Sequence, residues 1–282
     1  IYNYYGVDWL VDRLANTLSI VFKHSPCIDT FEAKDYFATV LTISPNNSAL
    51  NCPIRWESSI SEYSKPSTDN HPFLYLQEDS LSPLYGFVLL FIFSASLLIL
   101  RMMGGSFGAI QRNADLFFMG AAFLLLETKS VINFALLFGT TWFVNALVFI
   151  GILFTVYLAI EVTNLSTRIK PAILYVLLFA SLFLSWIIPT DYLLSLTVSW
   201  RFIAETALVF SPIFLANIIF AHRFRSSTHS TEAFGANLIG AVLGGLLEYT
   251  SLMIGYHSLL LIIAVLYLSA IAFKKQPVLA MS

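Results

Sequence analysis

The residues best placed to do chemistry in this chain stand where charge is expensive. Glu127, Lys129, Asn133, Asn145, Glu205 and Glu248 fall within long apolar runs, and Arg201 opens another. An ionisable side chain at the centre of a membrane helix costs about 2.5–3.5 kcal/mol on insertion scales unless it finds a partner. Glu127 and Lys129 are two residues apart on one predicted helix, so they point in different directions and cannot easily pair with each other. Glu127 is expected to face the interior of a helix bundle, with Glu248, Asn145 and Asn237 as candidate partners. Lys129 is expected to turn elsewhere and snorkel toward the outer polar region. Glu205 lies one turn from Arg201, so those two can pair locally. Such a set has two uses. One is a polar cavity able to hold a cation or a proton. The other, which is the expectation, is a set of interhelical hydrogen bonds and one ion pair that fix the bundle.

The remaining reactive side chains point to structure. Cys27 and Cys52 are the only cysteines, and no Cys-x-x-Cys occurs. In an oxidising compartment their pairing as a disulfide is expected; the alternative is two unrelated buried thiols. The five histidines, His24, His71, His222, His229 and His257, include no pair at i, i+4, so no metal site is expected. Serine, histidine and acid are present without a nucleophile-elbow motif. No catalytic residue and no cofactor are assigned.

The elements that must position these groups are apolar helices. The chain is 57% hydrophobic and 11% charged, against about 25% charged for an ordinary soluble domain, and its mean hydropathy is +0.77. Net charge is −2, so nothing points to nucleic acid. Composition changes near residue 83. Beyond it, runs approaching the roughly 20 apolar residues of a spanning helix recur, at about 84–101, 115–138, 141–161, 171–189, 201–221, 234–253 and 256–273. The expected fold is an all-α polytopic membrane protein with about seven transmembrane helices (84–282) behind a small extramembrane α/β segment (1–83). In the sixth run Asn237, Gly240, Gly244 and Glu248 share a face, and Gly240-x-x-x-Gly244 permits close helix contact, expected within the chain.

Loop charges orient the bundle. With seven spans, Arg101, Arg112, Arg168, Lys170, Arg223, Arg225, Lys274 and Lys275 fall on one side, and Arg201 alone on the other. The positive-inside rule makes the basic side cytoplasmic and residues 1–83 periplasmic or extracellular. In that N-terminal segment, Leu10, Val11, Leu14, Leu18, Val21 and Phe22 line one face of a predicted helix over 8–22, and 36–44 reads as a strand.

Three stretches, DLFFMGAAFLLLETKSVINFALLFGTTWFVNALVF (115–149), EAFGANLIGAVLGGLLEYTSLMIGY (232–256) and DNHPFLYLQ (69–77), resemble the C-terminal membrane domain of bacterial spermidine-synthase-like proteins. That family fuses membrane helices to a methyltransferase-like Rossmann domain. The resemblance implies a bacterial inner membrane, and makes YNYYGVDWLVDRLANTL the tail of a Rossmann-like domain. The chain opens at Ile1, which reads either as a processed end or, as expected here, as a fragment boundary. It lacks the Gly-rich turn through which true spermidine synthases bind their nucleoside cofactor, so no catalytic residue carries over. The expected function is a non-catalytic membrane scaffold or accessory subunit, with lipid and other membrane subunits as partners. The rivals are a small-cation or polyamine transporter module, and the membrane half of an enzyme whose catalytic domain lies upstream.

Overall fold

Apolar residues at helical spacing between Asp8 and Phe22 form α1 (Asp8–Phe22). The computed structural model describes residues 2–5, 8–32, 37–57, 65–77, 81–102, 104–165 and 170–274. The chain divides into two units, Ile1–Ser80 and Leu81–Ser282, within a few residues of the change in composition. Arg168 and Lys275, used above for orientation, lie outside the described residues.

In the first unit, β1 (Tyr2–Tyr5), β2 (Cys27–Glu32) and β3 (Phe37–Thr42) make an antiparallel sheet in the order β1-β3-β2. Its core is Val11 and Ala15 of α1 with Leu41 and Trp56. The predicted apolar face of α1 fades at its end, where Val21 is exposed. Ala15 packs at the centre instead, because only a small side chain lets the helix approach the sheet. The Cys27–Cys52 disulfide is formed, with Cα atoms 5.8 Å apart. It fastens a segment that continues along the edge of β2, where Ile28 N–H donates to Ile54 O at 3.1 Å and Trp56 N–H to Pro26 O at 3.0 Å. Arg13 donates from Nη1 to the carbonyls of Phe73 (3.3 Å), Leu74 (3.1 Å) and Leu76, and from Nη2 to Gln77 O at 3.2 Å.

The second unit is helical: α2 (Pro83–Met102), α3 (Phe107–Arg112), α4 (Ala114–Phe138), α5 (Trp142–Leu165), α6 (Pro171–Ile187), α7 (Thr190–Ser195), α8 (Val198–Arg225), α9 (Ser230–Glu248), α10 (Ser251–Ile254) and α11 (Leu259–Ala272). Of the seven runs expected to span, five give helices long and apolar enough to cross a membrane: α2, α4, α5, α8 and α9 extended through α10. The other two, α6 with 17 residues and α11 with 14, fall short of the roughly 20 required. Proline and glycine cut them back. Pro189 holds Ile188 extended at φ −79°, ψ 111°. Gly255, at φ +83°, separates α10 from α11.

α4 is the hub. Gly120 lies against Asn237, Gly240 against the Phe117 backbone and Gly244 against the Ala121 backbone, and Asn237 Nδ2 donates to Leu116 O at 3.0 Å. From Leu116–Asn237 through Phe117–Gly240 to Ala121–Gly244 the pairings rise along both helices, so α4 and α9 run parallel. α11 runs antiparallel to α4, with Phe118 stacked on Phe273 at 5.4 Å near one end and Tyr256 meeting Lys129 and Asn133 toward the other. α8 is also antiparallel to α4, pairing Arg223 with Asp115 and Phe202 with Phe134. Pro212 lies inside α8, which continues through it, and removes the N–H that Leu208 O would accept. Ser185 Oγ of α6 lies 3.1 Å from that carbonyl. α2 buries none of its residues within the chain, and Phe87, Leu90, Phe91 and Leu98 are exposed on it. Such surface is compatible with a lipid environment.

Candidate functional site

Only part of the predicted polar set comes together. Lys129 is buried, 5% exposed, in the middle of α4. Its Nζ donates to Asn133 Oδ1 one turn on, at 3.3 Å, and to the Tyr256 hydroxyl at 3.4 Å. Nζ also sits 4.7 Å from the Tyr256 ring centroid, a cation–π geometry. The Tyr256 hydroxyl lies 2.9 Å from Lys129 O, donating to it, and contacts Asn133 Oδ1. Lys129 is thus held inside the bundle. The expected snorkelling does not occur because Tyr256, delivered by the turn before α11, offers a nearer partner.

Glu205 of α8 completes the group. It is fully buried, close to Lys129, Tyr256 and Asn133. Neither carboxyl oxygen has a hydrogen-bond partner among the described residues, and neither Lys129 nor Arg201 makes an ion pair with it. The Arg201 guanidinium donates to Leu193 O (3.2 Å), Leu194 O (2.7 Å), Leu196 O (3.2 Å) and Leu137 O (3.5 Å). Helix ends leave carbonyls unsatisfied, and Arg201 answers those around α7 and at the end of α4. The expected Arg201–Glu205 pair gives way to that demand. Phe134 is fully buried, tilted against Phe138 and Phe210 and edge-on to Phe202 at 5.6–6.3 Å.

The other predicted members stand outside it. Glu127 and Glu248 are half-buried and make no hydrogen bond or ion pair among the described residues, and Asn145 is exposed at the start of α5. The expected contacts of Glu127 with Glu248, Asn145 or Asn237 are therefore not made. Asn237 is occupied instead at the α4–α9 contact. Tyr256 escaped the sequence reading because a tyrosine at the end of an apolar run normally reads as an interfacial anchor. The one local signal was Gly255, which turns the chain so that Tyr256 is buried.

What this arrangement can do chemically is bind helices. A cation, an amide, a phenol and a carboxylate from α4, α8 and the start of α11 meet in a closed, low-dielectric interior, where such contacts are strong if satisfied and costly if broken. Among the described residues, no group of His, Cys, Asp or Glu is arranged to hold a metal. Five helices long and apolar enough to cross a membrane mark the chain as a helical membrane protein. Comparison with protein-family models, with curated proteins and with solved structures finds no match to this chain.

Proposed function

We propose that the chain is a non-catalytic integral-membrane scaffold or accessory subunit of a membrane assembly. The observation that carries this reading is the use of Lys129. The lysine in the middle of α4 is spent on Asn133 and Tyr256, tying α4 to the start of α11, with Glu205 of α8 fully buried close by. The exposed apolar sides of α2 and α5 leave room for lipid and for other membrane subunits. The bacterial inner membrane and an origin in a spermidine-synthase-like protein are part of the proposal, resting on the resemblance of residues 69–77, 115–149 and 232–256. The membrane half of an enzyme whose catalytic domain lies upstream is an alternative that rests on the same resemblance.

Seven spans remain the proposed topology, and the parallel packing of α4 and α9 supports it. Between them lie α5, α6 and α8. The two helices run the same way if α6, short as it is, crosses back. At 1.5 Å per residue its 17 residues reach about 25 Å, close to the hydrocarbon thickness. The disulfide of the first unit supports an exported position for residues 1–83.

A second reading, small-cation or polyamine transport, draws on the Glu205 carboxyl oxygens that lack hydrogen bonds. Reconstitution of the chain in phosphatidylcholine–phosphatidylglycerol vesicles separates the two. A scaffold gives spermidine and proton fluxes equal to those of protein-free vesicles, and co-purifies from native membranes with a stoichiometric subunit. Flux that Glu205→Gln abolishes at unchanged thermal stability would replace the scaffold reading with transport.

A further inference from the structure

At the Arg223 end of the bundle, away from the Lys129 group, α4, α6, α8 and α9 enclose a cleft of about 610 Å³, within the usual range for ligand pockets. Met119, Ile219 and Tyr175 line it alongside a rim rich in cations and donors: Arg112, His222, His229 and Lys274.

The acids of this cleft are already engaged. Asp115, its side chain 2% exposed, is held by Arg223 in a buried pair. Glu232 is held by Arg112 at 2.8 Å, but that pair is open to water, 54% and 37% exposed. Exposed pairs are worth little, so an entering anion can draw Arg112 away cheaply. Lys274 makes no ion pair among the described residues. His222 Nε2 is buried without a hydrogen-bond partner among them. His229, the residue before α9, provides no side-chain cap, and it lines the cleft at the positive end of the α9 dipole. A cation and an imidazole nitrogen without partners among the described residues, a loosely held arginine and the start of a 19-residue helix converge on one ligand-sized space. That inventory lacks an anion with several acceptor oxygens.

We propose that this cleft binds a phosphate group, carried either by the headgroup of an anionic phospholipid or by a small soluble phosphate compound. Lys274 and Arg112 supply the charge, His222 and His229 the donors, and Met119, Ile219 and Tyr175 the apolar floor. The proposal stands apart from the scaffold reading, since a transporter would carry the same cleft.

The test follows thermal unfolding of the purified full chain in dodecylmaltoside. One arm adds dihexanoyl-phosphatidylglycerol, with dihexanoyl-phosphatidylcholine as control. The other adds inorganic phosphate, with chloride at matched ionic strength. A saturable rise in Tm is expected over the control in at least one arm, with apparent affinity reduced at least about tenfold in Arg112→Gln/Lys274→Gln. A rise with phosphatidylglycerol alone assigns a lipid headgroup; a rise with phosphate assigns a soluble ligand. Lys274→Gln alone, which breaks no ion pair among the described residues, serves if the double variant does not purify. No saturable rise in either arm, or an unchanged affinity in the variants, overturns the proposal.

Discussion

Gly240 lies so close to Phe117 that a Cβ on the glycine would overlap the Phe117 carbonyl oxygen. Gly244 stands in the same relation to Ala121 one turn further on. The obstacle in both cases is backbone, which cannot rotate away as a side chain would. Gly240→Ala should therefore force α4 and α9 apart and destabilise the bundle by roughly 1–3 kcal/mol, the usual cost of overpacking. Gly86→Ala in α2, where an added Cβ meets nothing within 4 Å, should be neutral or slightly stabilising. Unfolding midpoints in mild detergent decide it. Equal behaviour of the two variants would show that the α4–α9 approach is not tight in solution.

The Cys27–Cys52 bridge closes a loop with a sequence separation of 25. In the loop-entropy model such a bridge contributes about 3 kcal/mol. Cys27→Ala/Cys52→Ala should lower the stability of the first unit by that order, read from protease resistance of residues 1–80, while the helical unit keeps its own transition. Alkylation of both cysteines in the native, unreduced protein would exclude the bridge.

Lys129 and Glu205 should be worth more together than apart. Lys129→Met removes the cation close to the buried Glu205 carboxyl and should destabilise the bundle, by up to about 3–5 kcal/mol if the two groups are charged as a pair. Lys129→Met/Glu205→Gln removes both charges and should recover much of that loss. If the double variant is as unstable as the sum of the two single ones, the charges are not coupled, and Tyr256 and Asn133 alone hold the lysine.

Much of the helical unit was legible because hydrocarbon leaves so few options. A long apolar run must satisfy its own backbone, and a helix does so; α2, α4, α5 and α8 begin and end within a few residues of their apolar runs. The glycine stripe could be read as a contact face for the same reason, since closeness needs small residues. The polar partners were not legible. Which cation meets which acid depends on how helices far apart in sequence rotate against one another, and periodicity within one helix does not encode that. Arg201 shows the failure plainly. One-turn spacing offered it Glu205, but the unsatisfied carbonyls around α7 were a stronger claim. The basic end of the bundle was read as loop charge alone, because its cleft exists only once α4, α6, α8 and α9 are assembled.

The proposed orientation is open to a direct test. Ser106 and Ser227 lie in the connections on the basic side, and Ser195 at the end of α7 on the other. With the native cysteines bridged, single-cysteine variants at these positions report cleanly. Ser106→Cys and Ser227→Cys should resist a membrane-impermeant maleimide added to intact cells, and Ser195→Cys should react. Labelling of either of the first two from outside would overturn the orientation and the seven-span count that yields it.

Pro212 and Ser185 make the sharpest test of how α8 is held. Proline at 212 leaves Leu208 O without its helical donor, and the Ser185 hydroxyl lies 3.1 Å away. The same hydroxyl is 3.1 Å from Ser181 O of its own helix, so its proton has two possible acceptors. If the interhelical contact matters, Ser185→Ala should cost about 0.6 kcal/mol, the average for hydrogen bonds between membrane helices, and up to about 1.7. Pro212→Ala restores an N–H at position 212, and with it a local donor for Leu208 O. In that background Ser185→Ala should cost almost nothing. The interaction energy of the double-mutant cycle isolates the contact from the helix bend that proline also imposes. A Ser185→Ala cost that is the same with proline or alanine at 212 would mean that the serine serves Ser181 within α6, and that α6 and α8 are held by packing alone.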